Sequence, residues 1–186
     1  MSVHGKLTCV LMRGILKQLQ MKDRNSVRNL PTPDDWMTPP EYYEKWNKKF
    51  KFDFDPYPYM HDLTKWSAYD IEWGDRNFIN PPYSRVAKEL AVKEAIERAN
   101  NGALCFCLLP VSLSTKLYHK HIKPNAMYIE YMEGRIPFIG INSKGQHVNY
   151  HLIEDVNFKE VIDVNGVEIP KYVKASGQFD SMIVLF

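Results

Sequence analysis

One segment limits the fold of this chain more than any other. Ala103, Leu104, Cys105, Phe106, Cys107, Leu108 and Leu109 form an unbroken apolar run, stopped by Pro110. A run of strand length with no polar face must be covered on both sides, which is the pattern of a buried parallel strand. The neighbouring segments fit that reading. Asn77, Phe78 and Ile79 suit a short strand, and residues 86 to 99 have the Ala, Glu and Lys content of a good helix, ended by Asn100, Asn101 and Gly102. A further helix is expected over residues 113 to 122, and strands over 126 to 132 and 181 to 186. Strands alternating with helices are the α/β signature.

Upstream, Tyr42, Tyr43, Trp46 and Phe50 recur at helical spacing after Thr38-Pro39-Pro40, and proline suits the first turn of a helix. Phe52-Asp53-Phe54-Asp55 alternates apolar with acidic residues and is closed by Pro56 and Pro58, which predicts a short strand running into a rigid loop. Residues 140 to 177 are rich in Gly, Asn, Lys and β-branched side chains and read as hairpins or an excursion from the main sheet, the place where a chain this short could contact DNA bases if it reads them. Leu7, Leu11, Ile15 and Leu19 repeat every four residues and predict an amphipathic helix over 6 to 21, although Gly14 weakens it. That helix can pack on the domain or fray from it, or serve a homodimer or a membrane surface. A polar linker with two prolines covers 22 to 33. The expected organisation is therefore an N-terminal helix and linker over 1–33 and one main domain over 34–186.

The length of 186 residues leaves room for one ordinary domain and none for a separate specificity domain. Lys and Arg number 24 against 22 for Asp and Glu, so the charge of +2 excludes a broad polyelectrolyte surface, and any nucleic-acid contact must be local. Cys9, Cys105 and Cys107 are odd in number and lack a C-x-x-C pair, which predicts buried, reduced thiols. His119 and His121 stand at no recognised finger spacing from Cys105 and Cys107, so no metal is expected. No apolar stretch approaches the roughly eighteen residues of a membrane span. The run from Leu7 to Met12 is cut by Arg13 before it can act as a signal core. The expected location is the reducing cytoplasm.

The chemistry is concentrated in Asn80-Pro81-Pro82-Tyr83, at the carboxyl end of a predicted strand, where open α/β sheets bind ligands. Two prolines fix the backbone and donate nothing, so the loop presents carbonyl oxygens and the Asn80 amide oxygen in a rigid, acceptor-rich arrangement. An exocyclic amino group on a planar base offers two N–H donors, and its lone pair is delocalised into the ring. Accepting those hydrogens on Asn80 and the Pro81 carbonyl draws the nitrogen toward tetrahedral geometry and frees the lone pair for attack. Tyr83 supplies a stacking face, a contact whose loss costs about 1–3 kcal/mol. A strand ending in an Asn-Pro turn with an aromatic packed behind it is the alternative reading of the same four residues.

Six landmarks occur in order: Asp35-Trp36-Met37-Thr38-Pro39-Pro40, Phe52-Asp53-Phe54-Asp55-Pro56, Asn80-Pro81-Pro82-Tyr83-Ser84, Leu108-Leu109-Pro110-Val111, Glu133-Gly134-Arg135-Ile136-Pro137-Phe138, and the closing apolar strand. In them the chain resembles the phage and viral DNA N6-adenine methyltransferases, the Dam-type enzymes. The resemblance implies a single trimmed Rossmann-like sheet with flanking helices, S-adenosylmethionine as methyl donor, and double-stranded DNA as partner, in the host cytoplasm if the source is a phage or virus. It implies that Asn80, Pro81, Pro82 and Tyr83 are catalytic. It puts Thr38 and Pro39 at the methionine end of the cofactor, and Asp55 and Pro56 beside it. Trp36 offers a π face on the cofactor side or simply packs in the core. Asp55 accepts from cofactor ammonium or hydroxyl groups or caps a turn. Ser84 and Arg135 fall on the DNA side, where Arg135 can fork a phosphate or sit in a surface salt bridge. The cationic stretch Lys116, His119, Lys120, His121 and Lys123 can track phosphates or form a solvated face. No glycine-rich turn follows Asp55, and about 25 residues separate it from Asn80, too few for two βα units, hence a trimmed sheet. Other outcomes compatible with the tetrapeptide are methylation of cytosine N4, an RNA adenine or a protein glutamine, or a silent nucleic-acid-binding module.

Overall fold

The computed structural model describes residues 35–59 and 67–186, all within one compact unit, Pro33–Phe186. The expected helix over 6 to 21, the linker and Cys9 lie outside the described residues. The elements in chain order are β1 (Trp36–Met37), α1 (Pro40–Phe50), β2 (Arg76–Ile79), α2 (Arg85–Asn100), β3 (Leu104–Pro110), a π-helical turn (Tyr118–Ile122), α3 (Lys123–Asn125), β4 (Tyr128–Tyr131), β5 (Ile139–Ile141), β6 (His147–Val148), β7 (Val161–Val164), β8 (Val167–Pro170), β9 (Tyr172–Val173) and β10 (Ser181–Leu185).

The apolar run becomes the inner strand β3. It is parallel to β2, with Phe78 opposite Phe106, and antiparallel to β10, with Ile183 opposite Leu108. β10 also pairs antiparallel with β4, giving the order β2-β3-β10-β4. Alternation along β3 sorts its side chains to two faces. Cys105, Cys107 and Leu109 pack with Val92 and Ala95 of α2 and with Ile122. Phe106 and Leu108 pack with Trp46 of α1, Phe78 and Ile183. Phe106 is fully buried, its ring centroid 5.2 Å from those of Trp46, Phe50 and Phe52, so much of the aromatic content is core. Burying one such side chain contributes about 1.5–3 kcal/mol. Cys105 and Cys107 are buried free thiols, and burial pushes Cys105 up to about 12, away from the reactive thiolate.

The helices obey their terminal signals. Pro40 occupies the first turn of α1, Lys48 and Lys49 its last turn, and Lys51 ends it in the left-handed conformation at φ 55°. Among the described residues no helix is long and apolar enough to cross a membrane.

The architecture is mixed α/β, but the strands form three sheets instead of one. Residues 139 to 173 contain no helix-length crossover to deliver a strand parallel onto the main sheet. Its strands instead join β1 in a second sheet of order β1-β5-β6-β9, with β7 and β8 as a separate hairpin turned by Asn165 and Gly166, both at positive φ. The predicted strand over 52 to 55 shrinks to one parallel bridge, Phe54 to Asn77, because Pro56 and Pro58 cannot extend a ladder. The helix expected from 113 is delayed: Thr115 Oγ1 donates to Ser112 O at 2.8 Å and accepts from Tyr118 N at 3.2 Å, so side-chain bonds hold a turn where the helix was expected to start.

Candidate active site

Asn80 follows β2 at the carboxyl end of the parallel β2–β3 pair. Its Nδ2 donates to the backbone oxygen of Trp36 at 2.6 Å. A carbonyl only accepts, so this bond decides which way the amide faces: the nitrogen is held by β1, and Oδ1 is left to act as the acceptor. The Asp35-Trp36 word and the Asn-Pro-Pro-Tyr word, 44 residues apart, are thus joined by one hydrogen bond.

A second group of residues gathers around the start of α1. Thr38 is 7% exposed and its Oγ1 has no hydrogen-bond partner among the described residues, while Pro39 is fully buried as the N-cap of α1. A buried hydroxyl left unsatisfied calls for a specific explanation, of which a bound group is one. Asp55 follows the Phe54 bridge, on the same side of the sheet as the end of β2. Burial raises its carboxyl to about 6, opposed by the Tyr57 N–H that donates to Oδ1 at 2.8 Å. Burial, helped by the Asp55 charge, raises the Tyr43 hydroxyl on α1. Pro56 is buried beside it.

The third group surrounds Tyr83. Its ring meets Phe138 edge to face at 5.9 Å and Phe179 at 6.3 Å. With Trp36 these rings line a cavity of about 100 Å³ whose remaining wall comes from the second sheet and residues 175 to 179. Trp36 lies here because position 140 carries no side chain: a Cβ on Gly140 would stand 2.7 Å from the Trp36 Cε3. Trp36 therefore shares a pocket with Tyr83, and Asp55 and Thr38 do not line it.

A family model described as DNA N-6-adenine-methyltransferase (Dam) matches residues 25–158. The chain belongs to the Dam family. No curated protein and no solved structure matches it. The Dam match covers all three groups of site residues apart from Phe179 and the wall at 175 to 179, which follow its end.

Of the residues expected on the DNA side of this Dam protein, Ser84 caps the start of α2, and Arg135 Nε donates to Asp180 Oδ1 at 3.0 Å with both side chains more than half exposed. The surface salt bridge, one of the two readings of Arg135, is thus formed; exposed pairs of this kind contribute about 0–1 kcal/mol. Lys116, His119, Lys120 and Lys123 face solvent around the π-helical turn. Among the described residues no group of three or more His, Cys, Asp or Glu is arranged to hold a metal.

Sequence reasoning missed Phe179, Gly140, Asn149 and Gly177. Phe138 stood inside the Gly134-Arg135 word without being assigned a role. Phe179 sits in a polar stretch with no periodicity to flag it, and Asn149 looked like one more loop asparagine. Their importance comes from partners 11 to 104 residues away, such as Asn149 with Phe138 and Gly140 with Trp36.

Proposed function

We propose that this chain is a DNA adenine-N6 methyltransferase that uses S-adenosylmethionine on an adenine flipped out of the duplex, with residues 34–186 as the catalytic domain. The observation carrying this reading is the Asn80 amide, turned by the Trp36 carbonyl so that Oδ1 is the available acceptor. Asn80 Oδ1 and the Pro81 carbonyl then take the two amino hydrogens, and Tyr83 stacks on the base. Unstacking a base costs a few kcal/mol, and stacking on an aromatic ring offsets part of it. Bound S-adenosylmethionine supplies an activated methyl group whose leaving group departs neutral, so no general base is needed before attack. The protein's work is alignment of the reacting atoms.

The chain's residues fit that cofactor. Thr38 Oγ1 is a buried hydroxyl in need of a partner, and Asp55 is a half-buried carboxylate suited to an ammonium group. The raised Asp55 carries a pH dependence with a definite sign. Its folded value of about 6 lies above the ordinary 3.8, so ionisation opposes folding: the penalty is absent below about pH 4, grows through pH 6, and reaches roughly 3 kcal/mol. A cationic ligand recovers part of it. Cofactor affinity is expected to rise about tenfold between pH 5 and pH 7 and then level off, and Asp55→Asn flattens the profile. Calorimetric titration across that range checks it, and a flat wild-type profile removes Asp55 from the cofactor site.

The deciding experiment incubates the full chain with unmethylated duplex DNA and labelled S-adenosylmethionine, followed by nucleoside analysis and sequencing of modified positions. N6-methyladenine at a fixed sequence context is expected. N4-methylcytosine would reassign the substrate, and nucleic-acid binding with no calorimetric signal for S-adenosylmethionine would leave a silent module.

A further inference from the structure

Residues 174 to 180 join β9 to β10 and lie beyond the family match, which ends at 158, and residues 175 to 179 of this segment line the Tyr83 pocket. Their course is fixed at two points. Asn149, 2% exposed and held at φ 60°, donates through Nδ2 to Phe138 O at 3.0 Å and Ala175 O at 2.8 Å, and accepts from Ala175 N at 2.9 Å. One buried amide therefore occupies both backbone groups of Ala175 and ties them to Phe138, the residue before β5. Two residues on, Gly177 is pressed so close to Ile136 that a Cβ there would stand 2.2 Å from its carbonyl oxygen. Phe179 then turns its ring onto Tyr83. A surface segment anchored by a buried asparagine, a glycine contact and an aromatic contact is a built wall.

Four polar side chains line this pocket: Asn142, Asn149, Ser176 and Gln178. Asn142 is committed to Gln146 and to the Lys144 and Gln146 amides, and Asn149 to the wall itself. Ser176 and Gln178 are both exposed, with no hydrogen bond to another described residue, and of the two Gln178 has the longer side chain. Its amide offers two donors and one acceptor. Adenine beside its amino group presents a ring nitrogen that only accepts, and glutamine is suited to that edge.

We infer that Gln178 is a specificity-determining residue of the pocket it shares with Tyr83, its Nε2–H donating to N1 of an adenine stacked on the Tyr83 ring. This rests on the proposed function. Guanine carries a ring N–H at the corresponding N1 position, so the same donor would face a donor and reject it.

The test compares wild type and Gln178→Ala on duplexes carrying adenine, 1-deazaadenine or 7-deazaadenine at the mapped site. Wild type is expected to lose about tenfold in kcat/KM on 1-deazaadenine and little on 7-deazaadenine, and a loss confined to 7-deazaadenine overturns the inference. Gln178→Ala should show that loss already on adenine and treat the analogue as it treats adenine, with unchanged cofactor affinity and melting temperature. Equal kcat/KM for the two proteins on adenine, or undiminished discrimination by the variant, overturns the inference and leaves the proposed function standing. A wild-type protein that modifies no adenine removes both.

Discussion

Asn80→Ala is expected to lower kcat for methyl transfer by at least about a hundredfold, the scale for removing one aligned hydrogen-bonding group at a reacting centre. Cofactor affinity should change little, because Thr38 and Asp55 belong to a different group of contacts. The variant removes the acceptor proposed to draw the amino nitrogen toward tetrahedral geometry, and it also frees the Trp36 carbonyl that held the amide. Asn80→Asp separates these two effects. It keeps an acceptor but brings a carboxylate against the Trp36 carbonyl, where an N–H is required, so its activity should fall less than that of alanine while remaining below wild type. Single-turnover transfer rates measured beside calorimetric cofactor binding give both quantities. Wild-type transfer by Asn80→Ala would end the case for the acceptor clamp.

Gly177→Ala is expected to destabilise the fold by about 1–3 kcal/mol, the usual cost of forcing a methyl into a filled site. The added carbon would stand 2.2 Å from Ile136 O and 3.1 Å from the Arg135 Cβ, and the nearest atom is backbone that cannot swing aside. In a chain of this size that corresponds to a melting temperature lower by about 2–12 °C. The wall at 175 to 179 should move with it, so kcat/KM on DNA falls more than cofactor affinity does. Scanning calorimetry with steady-state kinetics reads both effects, and an unchanged melting temperature would mean that the close approach at Gly177 is not maintained in solution.

Much of the main sheet was legible because its signals are local. The run ending at Pro110 had only one way to hide both faces, the proline and glycine boundaries of α1 and α2 lie within a few residues of where they act, and β10 is nearly all apolar. The Asn-Pro-Pro-Tyr word was equally readable, since a rigid loop rich in acceptors is a property of four adjacent residues. The second sheet was not. Trp36 and Met37 make a strand only because Gly140 and Ile139 come to lie beside them, a pairing across about a hundred residues that no spacing announces. The delayed helix after Pro110 likewise turned on Thr115 choosing Ser112 and Tyr118 as partners.

By itself the sequence determined an α/β chain, the order of its main-sheet elements, the acceptor-rich loop and the Dam resemblance, because each rests on neighbouring residues or on burial demanded by composition. Tertiary structure decided which way the Asn80 amide faces, that Trp36 stands beside Tyr83, that Arg135 meets Asp180, and that Asn149 and Gly177 wall the pocket. Those outcomes depend on hydrogen bonds and close approaches between residues distant along the chain, and such contacts exist only once the packing around β3 and β5 has brought them together.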